Sequence, residues 1–198
     1  MPKTAEFFFD VGSPASYLAW TQLPALCAQT GATLLYRPML LGGVFQATGN
    51  ASPATVPAKG LYMNVDLGRF ARRYGVPFRI NPHFPINTLQ LMRAVIGVQL
   101  RQPDRLDALL TALFHAMWVD GANLNDPVAV AQTLAKAGFD PAQIQALASD
   151  PEVKNALKAN TEEAVRRGVF GAPTVFVDDA MFFGQDRLDF VKEALAHN

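Results

Sequence analysis

The sequence predicts an α/β domain whose sheet is assembled from both ends of the chain, and three observations carry that prediction. Residues 6–11 and 32–39 are compact apolar runs of strand length on either side of a helical stretch, 16–30. Residues 61–168 then repeat their apolar positions mostly at helical spacing, with turn signals between segments. The chain closes on two short strand candidates, 174–177 and 181–183, and a last helix over 186–196. A strand, helix and strand in this order favour a right-handed crossover and a parallel pair. The expected order is therefore βαβ, a helical block, then ββα.

Each element has a local reason. Ser13 is a good N-cap for the first helix, Pro14 a good first helical residue and Gly31 a good terminator. Pro24 lies inside this helix and should kink it, because its ring crowds the preceding turn and it lacks a backbone donor. Residues 11–36 carry no charge and are long enough to span a bilayer, but Gly12, Pro14, Pro24 and Gly31 divide the run. It reads as a buried βαβ unit. Helices are expected over 61–74, 88–100, 104–118, 127–137, 141–148 and 151–167. In the last of these, Glu162 and Glu163 stand four residues before Arg166 and Arg167, the favourable orientation for helix pairs. Arg72-Arg73 and Arg166-Arg167 read as solvated helix faces, and Asp178-Asp179 as a turn. Residues 1–60 and 169–198 are expected to form the sheet-bearing domain, and 61–168 an all-helical insertion.

Composition narrows the function. Half the residues are hydrophobic and 17% are charged, as in an ordinary soluble enzyme, and 17 basic residues balance 17 acidic ones. No electrostatic footprint for DNA, RNA or an anionic membrane follows from that balance. Glu6 precedes any hydrophobic run long enough for a signal peptide. Cys27 stands alone, which excludes an intramolecular disulfide and a cysteine-rich metal site and makes a reducing cytoplasm the expected compartment. Its place after Leu23 and Leu26 gives it a packing role. His83, His115 and His197 lack metal-ligand spacing, so no metal is expected, and none forms a recognisable nucleophilic pair with Cys27. The glycines at 42, 43 and 49 match neither a P-loop nor a dinucleotide fingerprint.

The most informative stretch is the first strand running into Ser13-Pro14-Ala15-Ser16. A thioredoxin-type redox enzyme has two cysteines at such a helix start, faced by a proline loop like Gly171-Ala172-Pro173-Thr174. Serines at both positions point to a site that holds a sulfur supplied by another molecule, glutathione being the candidate, and that exchanges no disulfides. The unpaired N–H groups and positive dipole end of a helix favour an anion there. They can draw a thiol of ordinary pKa ~8.5 toward thiolate. Ser13 can cap the helix, donate its hydroxyl hydrogen to that sulfur, or do both, whereas Ser16 reads as a polar residue of the first turn.

Further segments carry a family resemblance: the loop Leu40-Leu41-Gly42-Gly43-Val44-Phe45-Gln46-Ala47-Thr48-Gly49-Asn50, then Pro57-Ala58-Lys59, Phe84-Pro85-Ile86-Asn87-Thr88, and Phe183-Gly184-Gln185-Asp186-Arg187-Leu188. With the Ser-Pro-x-Ser start and the proline loop, they resemble the 2-hydroxychromene-2-carboxylate isomerases, glutathione-dependent relatives of the kappa-class glutathione transferases. The resemblance implies a thioredoxin-like βαβ…ββα domain with an all-helical insertion, a homodimer and glutathione as cofactor. It implies that Ser13 donates to the glutathione sulfur, and that a cis peptide precedes Pro173 so that the Ala172 backbone pairs with the tripeptide. It places Gly184, Gln185 and Asp186 at the γ-glutamyl end; Asp186 is also an N-cap candidate for the last helix. Lys59 is either a partner for a glutathione carboxylate or simply solvated.

The implied substrate is a bicyclic aromatic hemiketal with one carboxylate, converted to trans-o-hydroxybenzylidenepyruvate or a close analogue in naphthalene-type catabolism. Gln46, Asn50 and Asn87 are its candidate anchors. Asn50 has a turn as its alternative and Asn87 a helix cap. Gln46 stands where many relatives carry lysine. Phe45, Tyr62 and Trp118 are pocket walls or core, and Asp10 is a buried acid near the site or a loop contact. A kappa-like transferase and a catalytically silent thioredoxin-like binding module are the alternatives.

Overall fold

The computed structural model describes residues 2–196, which leaves His197 outside the described residues. Strand β1 (Thr4–Phe9) lies at the centre of a four-stranded sheet of order β2-β1-β3-β4. It pairs parallel with β2 (Thr33–Pro38) and antiparallel with β3 (Thr174–Val177), which pairs antiparallel with β4 (Ala180–Phe183). Phe7 is opposite Tyr36 on one side and Val175 on the other. The period-2 geometry of strands sorts the aromatic run onto two faces. Phe7 and Phe9 join Val175 and Val177 in the main core, while Phe8 joins Phe176, Met39, Val44 and Val169 in a smaller cluster on the opposite face.

Helix α1 (Pro14–Thr30) connects β1 to β2, begins behind Ser13 and ends at Gly31, whose φ of 67° is left-handed. It runs through Pro24 as one element. Between β2 and β3 the chain is helical, as expected, but its boundaries differ. Residues 41–48, expected as a loop, form helix α2 (Leu41–Thr48). Gly43 serves packing: a Cβ there would lie 3.2 Å from Thr161 Cγ2, so the small residue lets α2 approach its neighbour closely. Helix α3 (Pro57–Tyr74) starts four residues earlier than expected, because Pro57 takes a first-turn position.

Helix α4 (Leu89–Arg101) follows the Phe84–Pro85 cis peptide. The helix expected over 104–118 is divided into a 3₁₀ turn (Pro103–Arg105), α5 (Leu106–His115) and a π turn (Ala116–Asp120). Helices α6 (Pro127–Lys136), α7 (Pro141–Ser149) and α8 (Pro151–Arg166) each carry an aspartate N-cap, Asp126, Asp140 and Asp150. The last helix, α9 (Leu188–Ala196), is preceded by a 3₁₀ turn (Gln185–Arg187). Among the described residues no helix is long and apolar enough to cross a membrane.

The paired arginines separate in role. Arg167 is not a solvated side chain: it lies 3.8 Å over the Phe176 ring and 2.8 Å from Glu6, and shares Glu163 with Arg37. Its neighbour Arg166 is exposed, and Glu162 pairs with Lys158 at 3.8 Å instead of with Arg166. Asp178 takes a left-handed conformation, φ 53°, in the expected turn between β3 and β4.

Candidate functional site around the first helix N-terminus

The end of β1 delivers Ser13 to the N-cap of α1, where its Oγ accepts from Ser16 N at 3.1 Å. The same hydroxyl donates to Ala172 O at 3.0 Å. Ser13 is 4% exposed, and the Ala172–Pro173 peptide facing it is cis. Ser13 and the proline loop, 159 residues apart in sequence, are thus brought together. The first turn of α1 carries no carboxylate to neutralise the positive end of its dipole. Ser16 Oγ, also in that turn, is buried without a hydrogen-bond partner.

Behind Ser13, Asp10 ties three elements to one carboxylate. Oδ1 accepts from Gly12 N at 2.9 Å, and Oδ2 from Leu41 N and Thr88 Oγ1, both at 2.9 Å. The loop before α1 and the starts of α2 and α4 therefore meet at a group that is 1% exposed. Burial raises its carboxyl above the ordinary 3.8, outweighing the lowering effect of Leu41, Gly12 and Thr88 as donors. Trp118 supports the same loop from below, its Nε1 donating to Val11 O at 2.8 Å, and is buried.

A second loop reaches the proline turn. Gly184 N donates to Pro173 O at 3.0 Å, and Tyr74 of α3 donates its hydroxyl to Gln185 O at 2.5 Å. Gly184 has φ 98°, and a Cβ there would lie 2.5 Å from Asp186 Oδ1. Only glycine suits that backbone beside that carboxylate. Asp186 does not cap the last helix: it sits inside the 3₁₀ turn and pairs with Arg187 at 2.5 Å.

The other sequence candidates are dispersed. Asn50 donates to Phe170 O at 2.8 Å and accepts from Ala51 N, joining the end of α2 to the proline loop. Asn87 accepts from Leu89 N at 3.1 Å, the capping alternative. Gln46 is exposed and lines a cleft of about 620 Å³ between α2, α4 and α8. Lys59 is exposed in the first turn of α3 and pairs with no described carboxylate. Phe45 is half-buried, whereas Tyr62 is 61% exposed and so belongs to neither a core nor a closed pocket wall. Ser13 lines neither the α2–α4–α8 cleft nor the smaller one, about 240 Å³, beside Asp186. Cys27 is buried, and burial pushes its thiol up to about 11. A polar residue ending an apolar strand was the sequence signal for Asp10; Thr88 and Tyr74 gave none.

Residues 4–196 match the DSBA-like thioredoxin domain family. The chain is 34% identical over 197 residues to a 2-hydroxychromene-2-carboxylate isomerase of Sphingobium xenophagum, covering 98% of this chain and 99% of that protein. It is also 34% identical over 213 residues to glutathione S-transferase kappa 1 of Homo sapiens, covering 100% and 91%. The solved structure of a 2-hydroxychromene-2-carboxylate isomerase superposes with a TM-score of 0.84 at 30% identity, over 97% of this chain and 94% of the other.

Proposed function

Because the chain belongs to the DSBA-like thioredoxin domain family, among its 2-hydroxychromene-2-carboxylate isomerases and kappa-class glutathione transferases, we propose that it is a glutathione-dependent isomerase of aromatic acids. The substrate is 2-hydroxychromene-2-carboxylate or a close analogue, interconverted with trans-o-hydroxybenzylidenepyruvate in aromatic catabolism. The observation that carries this reading is Ser13, set at a helix N-terminus with no acidic residue in its first turn and opposite a cis-proline loop, where a disulfide-exchanging enzyme of this fold needs thiols. The unpartnered Ser16 hydroxyl in the same turn is consistent with a polar ligand at this helix end.

Glutathione would be held by Ser13 at its sulfur, by the Ala172 and Pro173 backbone along the tripeptide, and by the turn Gly184, Gln185 and Asp186 at its γ-glutamyl end. Lys59 is the proposed partner of a carboxylate. Bound there, glutathione supplies a thiolate able to add reversibly to a conjugated double bond of the ring-opened acid, freeing that bond to rotate before elimination. Ser13 holds its hydrogen on Ala172 O while its oxygen accepts from Ser16 N. Turning the hydroxyl hydrogen onto an anion leaves the cap intact. A neutral hydrogen bond contributes about 0.5–1.5 kcal/mol and one to a charged group about 1.5–3 kcal/mol, so the exchange favours the anion. Asp10 keeps the loop and the two neighbouring helix starts in register. Self-association belongs to the same proposal; Leu61, Tyr62 and Val65 leave an apolar face of α3 exposed for it. A cytoplasmic location suits a site that depends on reduced thiol.

The test is turnover of 2-hydroxychromene-2-carboxylate with and without glutathione. Isomerisation that requires glutathione and conserves total thiol supports the proposal. Accumulation of a thioether assigns the chain to transferase chemistry, which the equal identity to the human kappa enzyme keeps as the second reading. Turnover indifferent to glutathione overturns both.

A further inference from the structure

The cleft between α2, α4 and α8 carries more positive charge than the proposed chemistry uses. Helix α8 turns Lys154, Leu157, Lys158, Thr161 and Val165 toward it, the i, i+3, i+4, i+7, i+11 spacing of one helical face. Helix α4 adds Leu89 and Arg93, one turn apart, and α2 adds Gln46. Arg93, Lys154, Lys158 and Arg166 thus line the cleft with a single carboxylate, Glu162, which pairs with Lys158 at 3.8 Å. No ion pair joins Arg93, Lys154 or Arg166 to a described carboxylate. In a chain with 17 charges of each sign, this is a local excess. Leu40, Leu89, Leu157 and Val165 make the remaining lining apolar. The volume, about 620 Å³, suits a small organic ligand.

We propose that this cleft binds the carboxylate-bearing aromatic substrate, with Arg93 as the principal partner of the carboxylate and Arg166 as an auxiliary one. Arg93 is the half-buried cation of the four, the others being exposed. A guanidinium offers a carboxylate two parallel donors, and partial burial strengthens them, whereas exposed lysine charges are weak and screened by salt. Of the asparagines expected to anchor the substrate, neither lines this cleft, and Asn50 already donates to Phe170 O. Gln46, in the same cleft, brings an amide but no charge. Ser13 itself does not line the cleft, but two of its lining residues are chain neighbours of residues that hold the Ser13 loop. Leu40 and Leu89 line it, and the adjacent Leu41 and Thr88 both donate to Asp10, whose carbonyl accepts from Ser13 N at 3.0 Å. The identity of the ligand rests on the isomerase reading; the preference for an apolar anion does not.

The experiment measures binding of 2-naphthoate and of neutral 2-naphthamide to the full chain by calorimetry without glutathione. The acid should bind about tenfold more tightly than the amide, a difference that Arg93→Gln removes. Arg166→Gln, at an exposed position, should weaken the acid about threefold and serves if Arg93→Gln fails to fold. Arg69→Gln, which breaks an exposed pair with Asp66 on α3, should change neither ligand. With turnover in hand, Arg93→Gln should raise KM and spare kcat. Equal affinity for acid and amide, or an acid affinity unchanged in the folded arginine variants, overturns the proposal. An acid preference that persists in a protein without isomerase activity sustains this cleft while overturning the isomerase reading.

Discussion

Replacing Ser13 by alanine removes two hydrogen bonds of different kinds, and both have a readable size. Ser16 N loses its cap acceptor and Ala172 O its hydroxyl donor. An N-cap is worth about 1 kcal/mol and a neutral hydrogen bond about 0.5–1.5 kcal/mol, so Ser13→Ala should destabilise the fold by about 2 kcal/mol. For a chain of this length that lowers Tm by about 4–8 °C. Ser13→Thr keeps both functions of the hydroxyl and should lie much nearer wild type. Turnover should fall on the order of 10²–10³-fold in Ser13→Ala, the scale for one preorganised donor to developing negative charge. Calorimetric melts combined with the glutathione-dependent isomerase assay separate the two effects. An unchanged Tm would refute the cap and clasp. A lowered Tm with full turnover would leave Ser13 a structural residue and remove it from the chemistry.

Asp10→Asn keeps one acceptor for three donors' worth of geometry, so Gly12 N or Leu41 N is left facing an amide NH₂; the buried N–H should cost about 1–3 kcal/mol by denaturant titration. Since burial raises Asp10 in the folded chain, the folded state retains that proton to higher pH than the unfolded one. Wild-type stability relative to Asp10→Asn should therefore decline as pH rises from the ordinary 3.8 through the raised folded value, then level off; a gap that grows with pH would refute the direction. Cys27, with its thiol held near 11, should resist alkylation at neutral pH in the native protein. Cys27→Ala should retain turnover; a large loss in a folded variant would reopen nucleophilic catalysis by the protein itself.

What the sequence made legible was local. The Phe7 to Phe9 run, Ser13 before Pro14 and Gly31 at the far end each signal their element through period, cap or left-handed turn, and the structure places all of them as read. Residues 41–48 misled because Gly42, Gly43 and Gly49 look like loop punctuation, whereas Gly49 ends a helix in a left-handed turn and the need Gly43 answers, close approach to Thr161, lies 118 positions downstream. Arg167 misled similarly, since its partner ring, Phe176, and its partner acid, Glu6, come from separate strands. At the site, Ser13 and Pro173 were legible through residue type. The clasps were not: Asp10 reaches Leu41 and Thr88, and Tyr74 reaches Gln185 over 111 residues, none with a periodic signature. Gln46 is a candidate anchor by its motif alone. The cations around it come from α4 and α8, and only folding assembles them.

Stabilisation of a bound thiolate at Ser13 is measured most directly by the thiolate absorbance of glutathione bound to the protein, titrated against pH in wild type and in Ser13→Ala. In wild type the bound thiol should ionise well below the ~8.5 of a free thiol, drawn down by the α1 N-terminus and the Ser13 hydroxyl. In Ser13→Ala its pKa should move upward, because loss of the donor destabilises the charged form, while glutathione still binds through Ala172 and the 184–186 turn. Bound glutathione that titrates like the free thiol in wild type, or identically in both proteins, would remove Ser13 and the helix end as the stabilisers of a thiolate.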